Sequence, residues 1–278
     1  MVKLSYYPGC SLEGTAADYA ASIAGVARLL DLTLAELPDW NCCGASAAHS
    51  LDREAAVALP VRNLRLAGKV GLDVVAPCAL CFNRLKAGAK ALEARGERLT
   101  IRVWDLLDLL TQPAFLKAMA QRLVTPLTGL TAVCYYGCLV NRPPAVTDAP
   151  SPENPGNMEK LLRVLGGHPL DWSFKTDCCG AGLAVARPDL IDALVRRLYD
   201  RALRAGAECI VVSCQMCQAN LDLPQARISR QAGVAYDLPV LYFTELIALA
   251  LGHPEVEDWL ARHLVDPRPL LRAKGFLA

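Results

Sequence analysis

Twelve cysteines stand in this chain of 278 residues, and ten of them fall into two sets of one shape. The first set is Cys10, the adjacent pair Cys42-Cys43 followed by Gly44, and the closing motif Cys78-Ala79-Leu80-Cys81. The second is Cys138, the pair Cys178-Cys179 followed by Gly180, and Cys214-Gln215-Met216-Cys217. From each adjacent pair to the closing CxxC the copies align without a gap at an offset of 136. The leading cysteine is out of step by eight positions, yet its surroundings still match, YYPGC ending at Cys10 against YYGC ending at Cys138. Thiolates are soft metal ligands and strong nucleophiles, so a duplicated cysteine constellation points to metal binding or redox chemistry.

The number of thiols narrows that choice. The start of the chain shows no apolar signal core, so disulfides would face a reducing cytoplasm. Cysteine is also too dilute for a disulfide scaffold, where it exceeds roughly 8–10%. A structural zinc takes four ligands and so does an ordinary cubane cluster, whereas each set here offers five cysteines. Iron–sulfur chemistry is the better fit, with zinc in one or both sites as the competing reading. Cys134 and Cys209 have no cysteine partner in the other copy; they fall opposite Tyr6 and Asp73 and read as small buried residues. Cys134 keeps a link to the site because it lies four positions before Cys138. His49 reads as a loop histidine near the first pair, and Arg142 as a solvated loop arginine. His168, His253 and His263 sit by turns or in a charged tail without ligand spacing.

Something must aim these side chains. Hydrophobic periodicity predicts strands over 3–7, 72–76, 102–104, 131–135, 209–212 and 240–242. Helices are expected over 16–30, 52–68 with a bend at Pro60, 82–94, 105–110, 158–165, 190–205 and 244–251. Residues 142–156, with five prolines, read as an irregular loop. The alternation implies an α/β fold of two pseudo-symmetric lobes, 1–125 and 126–278, each a small mostly parallel sheet flanked by helices and joined across 113–131. Every motif cysteine then falls just past a strand or in a turn before a helix, where α/β sheets collect ligands and helix N-termini favour thiolate. Gly44 and Gly180 let the chain turn after each pair, which a flat strand would splay to opposite faces.

Bulk properties exclude other classes. The chain is 53% hydrophobic with a net charge of +1, so it buries a full core and carries no basic stripe for nucleic acid. The most apolar run, 238–251, is interrupted by Pro239 and Glu245 and is too short for a membrane span. A cytoplasmic protein is expected.

The pattern Cx31CCGx33CxxC, with its longer-spaced second copy, resembles the CCG domain found in the B subunit of heterodisulfide reductase and its relatives, from Cys10 to Cys217. The resemblance implies that Cys10, Cys42, Cys43, Cys78 and Cys81 hold one noncubane [4Fe–4S] cluster, and that Cys138, Cys178, Cys179, Cys214 and Cys217 hold a second. It implies a disulfide placed between the two, each cluster passing one electron, with no separate catalytic residue. The chain has no cubane, flavin or nicotinamide motif, so electrons would pass through partners, a ferredoxin-like C subunit and a flavin-bearing A subunit of the same complex. The substrate would be a disulfide or thiol, or a lipoyl-type sulfur carrier. An Ala-, Leu- and Arg-rich composition leans towards the bacterial sulfur-oxidising branch. The family's histidines around the second leading cysteine are replaced here by Tyr135 or Tyr136 and Leu139. The alternatives are a non-catalytic electron-relay subunit of a flavin dehydrogenase of the glycolate, lactate or succinate type, or one cluster beside one zinc.

Overall fold

The computed structural model describes residues 2–277. The first lobe begins with strand β1 (Val2–Tyr6), helix α1 (Ala17–Leu29) and strand β2 (Leu32–Glu36). It continues through α2 (Ala47–Leu51), α3 (Ala55–Val70), β3 (Val74–Ala76), α4 (Ala79–Ala94), β4 (Val103–Asp105), α5 (Leu106–Leu110) and α6 (Pro113–Gln121). The second lobe opens with β5 (Thr131–Tyr135), α7 (Pro144–Thr147), α8 (Asn157–Val164) and β6 (His168–Leu170). After a 3-10 turn at Ala181–Leu183 come α9 (Pro188–Arg204), β7 (Cys209–Val212), α10 (Gln215–Asp222) and α11 (Gln225–Ala232). Strand β8 (Val240–Tyr242) and helices α12 (Phe243–Ala250), α13 (Val256–Leu260) and α14 (Arg268–Ala273) complete it.

The strands form two four-stranded sheets of the same order, β2-β1-β3-β4 and β6-β5-β7-β8, and every pairing among the described residues is parallel. The α/β expectation holds, with the sheets wholly rather than mostly parallel. Central strands β3 and β7, and the edge strand β8, are buried along their length, as strands covered on both faces must be. Two edge strands escape the hydrophobic periodicity. In β2 the burial fades from Leu32 to an exposed Glu36, so no clean alternation marks it; β6 is three residues long and carries Pro169, which only an edge tolerates. These strands matter, because β2 and β6 are the ones that run into the adjacent cysteine pairs. The segment expected only to join the lobes contains helix α6.

The lobes interlock. Helix α12 buries all eight of its residues, and α1 of the first lobe packs on it. Tyr19 of α1 stacks on Tyr242 with ring centroids 4.1 Å apart and planes 8° apart. Ser22 and Thr244 share a buried hydroxyl hydrogen bond of 2.7 Å.

Candidate functional site: two five-thiol sets at the strand ends

Because each sheet is parallel, its strand ends form one edge, and three adjacent strands deliver one cysteine group each. In the first lobe Cys10 follows β1, the Cys42-Cys43 pair follows β2 and Cys78 follows β3. In the second, Cys138 follows β5, the Cys178-Cys179 pair follows β6 and Cys214 follows β7. Cys78 and Cys214 are the N-cap residues of α4 and α10. Helix α4 starts earlier than the periodicity suggests, at Ala79, and α10 starts at Gln215. Cys81 and Cys217 therefore sit inside first helical turns rather than in loops before helices. The helix N-terminal field still reaches them.

Two backbone devices close each loop. Tyr7 Oη donates to the carbonyl of Asn41 at 2.7 Å, and Tyr135 Oη donates to the carbonyl of Asp177 at 2.6 Å. Each tyrosine thus pins the residue before its adjacent pair. Gly44 and Gly180 turn the chain after the pairs with φ of +75° and +79°, the left-handed region that glycine tolerates.

A second pair of glycines, which no spacing rule singles out, has a closer role. Gly9 and Gly137 precede the leading cysteines at φ of +72° and +67°. A Cβ on Gly9 would lie 2.9 Å from Cys81 Sγ, and one on Gly137 would lie 2.9 Å from Cys217 Sγ. The backbone here serves as the wall of each thiol cluster. Gly9→Ala is expected to disrupt the first set alone, by steric contact plus about 1 kcal/mol of backbone strain. Metal bound per chain should fall by about half, while circular dichroism stays that of the parent.

Within each set a buried trio faces outward onto a more open pair. Cys43, Cys78 and Cys81 are buried, with Cys10 and Cys42 exposed; Cys179, Cys214 and Cys217 are buried, with Cys178 exposed and Cys138 half-buried. All ten are free thiols. Cys138 Sγ lies 3.9 Å from Cys178 Sγ, and Cys179 Sγ lies 3.8 Å from Cys217 Sγ. Shared protons follow from such crowding. Cys81 keeps its proton and donates to Cys43, which with backbone N–H groups and Arg84 outweighs burial and holds Cys43 down at about 7. Likewise Cys217 holds Cys179 at about 7, and Cys138 holds Cys178 at about 6, each hydrogen bond outweighing burial. Thiols poised this way give up protons readily to a cation.

Among the described residues, the group of three ligand atoms mutually within 4.8 Å is Asp18, Glu245 and His263, and no cysteine trio is as tight.

The remaining sequence candidates fall outside the sets. Cys134 and Cys209 are fully buried in β5 and at the start of β7, and burial raises both thiols, Cys209 to about 12. His49 is exposed on α2 and His168 is exposed on β6. Arg142 pairs with Glu153 at the surface. His253 and His263 belong to the core rather than to a solvated tail: His263 Nε2 lies 2.8 Å from Glu245 Oε1 with both side chains sealed from solvent. Residues 142–156 are irregular apart from α7.

The cysteine-rich domain model termed CCG matches residues 4–86 and again residues 132–222. The chain belongs to the CCG cysteine-rich domain family. Each copy of the CCG domain covers its five motif cysteines and the three strands that lead into them. The chain is 30% identical to the 8-methylmenaquinol:fumarate reductase membrane anchor subunit of Wolinella succinogenes, over 96% of this chain and 99% of that one. It is 26% identical to the B subunit of the ferredoxin:CoB-CoM heterodisulfide reductase of Methanosarcina mazei, over 91% of this chain and 90% of that one. A hypothetical protein from Helicobacter pylori, known from a crystal structure, shares the fold with a TM-score of 0.73 at 10% identity, over 95% of this chain. The CCG chain spans about half of that protein, 52%. No helix among the described residues is long and apolar enough to cross a membrane.

Proposed function

We propose that each five-cysteine set holds a noncubane [4Fe–4S] cluster and that the chain is an iron–sulfur redox subunit of a multi-subunit reductase. The observation that carries this reading is the donor set: five free thiols gathered at one sheet edge, twice, one more in each set than a tetrahedral zinc takes. Clusters bound there would supply one-electron redox chemistry, and two of them together match the two-electron cleavage or formation of a disulfide. The chain's own contribution is positional. Tyr7 and Tyr135 fix the pairs, Gly9 and Gly137 bring backbone against the innermost sulfurs, and the buried trios exclude water from one side. The more open thiols, Cys10 and Cys42 in one lobe and Cys138 and Cys178 in the other, mark the side from which a sulfur substrate or carrier would arrive. Electrons would come through ferredoxin-like and flavin-bearing partner subunits, and the bacterial sulfur-oxidising setting is one such context.

A second reading has its own support. The relative at 30% identity is a fumarate reductase membrane anchor subunit, which favours an electron-relay role beside a flavin subunit, at a membrane surface. One experiment addresses both. Anaerobically purified protein should contain about eight irons per chain, four per cluster, with matching sulfide; two zincs and little iron would end the cluster reading. A mixed disulfide added to the reduced protein should reoxidise it and alter its paramagnetic spectrum. Iron at the expected level with a spectrum indifferent to disulfides would favour the relay.

A further inference from the structure

The second leading cysteine is followed by more chain than the first. From Cys10 the chain reaches α1 within residues 11–16, whereas from Cys138 it runs through residues 139–156 before α8, with α7 on the way. That longer stretch leans on the other lobe, because α7 packs against α4 of the first. The contact is polar and uses one face of α4, residues 83, 86 and 90, which helical spacing brings into line. Asn83, 1% exposed, donates its amide N–H groups to the carbonyls of Leu139 and Arg142, each at 2.9 Å. Its oxygen accepts from Arg84 at 2.6 Å, so the amide is engaged at both ends. Lys86 and Lys90 both reach Asp148, just past α7, at 2.5 and 2.9 Å. The two carbonyls belong to the turn that leaves Cys138, whose own carbonyl accepts from the N–H groups of Asn141 and Arg142. The Arg142 side chain also donates to Thr176, two residues before Cys178. One amide of the first lobe, two residues past Cys81, therefore holds the loop that links Cys138 to its pair. At the offset of 136 the counterpart of Asn83 is Ala219, which has no amide to offer in return.

We infer that Asn83 is a positioning residue for the second thiol set: it holds the turn after Cys138 from outside that lobe and so sets where Cys138 stands against Cys178. The link between α4 and the turn rests on the fold alone; its effect on redox chemistry rests on the iron–sulfur reading given above. A shielded carbonyl that loses its donor leaves its place to find another. Removing the Asn83 amide strands two such carbonyls at once, on the turn next to a half-buried thiol. Movement there widens the side from which a sulfur substrate would arrive, and leaves the buried trio of Cys179, Cys214 and Cys217 in place.

The test is hydrogen exchange, read by mass spectrometry on the full chain purified without air, followed by paramagnetic resonance. Asn83→Leu keeps the volume and removes both donors. Peptides covering 139–142 should then exchange faster by about tenfold, the factor that losing such a hydrogen bond gives to local opening. Peptides covering 11–16, where Gly14 and Ala16 donate to the Ser11 carbonyl, should keep the parent rate. General destabilisation would instead speed exchange in the first lobe, where the substitution lies. Asn83→Asp, which keeps the shape and sets an oxygen against the two carbonyls, should act in the same direction. Lys86→Met, which removes one arm of a solvated ion pair, should change the 139–142 peptides by no more than about twofold. In the Cys43→Ala background Asn83→Leu should alter the spectrum of the second centre, and in the Cys179→Ala background it should alter that of the first less. Exchange over 139–142 at the parent rate, an equal rise over 11–16, an equal effect of Lys86→Met, or a second-centre spectrum untouched by both Asn83 variants would overturn the inference and leave the cluster reading intact. Zinc in place of iron, with the expected exchange pattern, would remove the cluster reading and leave Asn83 as the residue that positions the second thiol set.

Discussion

Replacing Cys43 with alanine is expected to halve the iron of the protein, from about eight to about four per chain, while the second centre keeps its spectrum. Cys43 is the inner member of its pair, buried and in hydrogen-bond reach of Cys81, so its loss opens the deepest corner of the first set. No neighbouring thiol can stand in. Cys209, the nearest in type, is buried at the foot of β7 in the other lobe, and Cys134 lies within β5. Cys209→Ala should therefore leave iron unchanged, at a packing cost of about 1 kcal/mol. Iron and labile sulfide assays on the three proteins, purified without air, check this directly. Loss of both centres in Cys43→Ala would show that the two sets are not independent, and loss of iron in Cys209→Ala would contradict the division into five and five.

The other large effect lies in the core, away from any sulfur. His263→Ala is expected to destabilise the protein by roughly 3–5 kcal/mol, because it strands the Glu245 carboxylate where no water reaches it. In a domain of this size that lowers the thermal midpoint by on the order of 10 °C. Glu245 does two jobs: Oε1 meets His263 Nε2, and Oε2 accepts the Tyr242 N–H at 2.8 Å, setting the first turn of α12. Burial alone would lower the His263 pKa, but the charge and hydrogen bond of Glu245 outweigh it and raise it to about 9. A folded-state value above the ordinary 6.5 means that this stabilisation is complete below pH 6.5 and is lost as pH rises through about 9. Urea midpoints of the parent should fall between pH 6.5 and 9.5, and that part of the slope should vanish in His263→Ala. A variant as stable as the parent would remove the pair from the account of how α12 is held.

The site was far more legible in the sequence than the frame that aligns its two halves. Cysteine spacing is covalent fact, so the offset of 136 and the pairing of YYPGC with YYGC needed no folding argument. The structure agrees with that register in detail, since Tyr7 and Tyr135 hold equivalent carbonyls. Buried strands such as β7 and β8 read cleanly because a continuous apolar run bounded by turns admits little else. Edge strands β2 and β6 did not, since half their surface is solvated and their pattern is correspondingly weak. Gly9 and Gly137 stand in both motifs, but only coordinates give them a role, by showing which sulfur each backbone meets. Least visible was the packing between lobes. Ser22 and Thr244 are separated by 222 residues, and no periodicity in either helix names its partner. His263 was misplaced for the same reason: the carboxylate that fixes it, Glu245, lies 18 residues away on α12.

The joining of both lobes in one polypeptide has an evolutionary corollary. In a two-fold dimer of identical halves, any substitution at the seam is made twice, once on each side. Here Tyr19 could settle against Tyr242, Arg28 against His253, and a glutamine could arise in one CxxC while alanine stayed in the other. Fusion thus freed each copy to change alone, so that a contact across the seam need not be repeated at its two-fold counterpart.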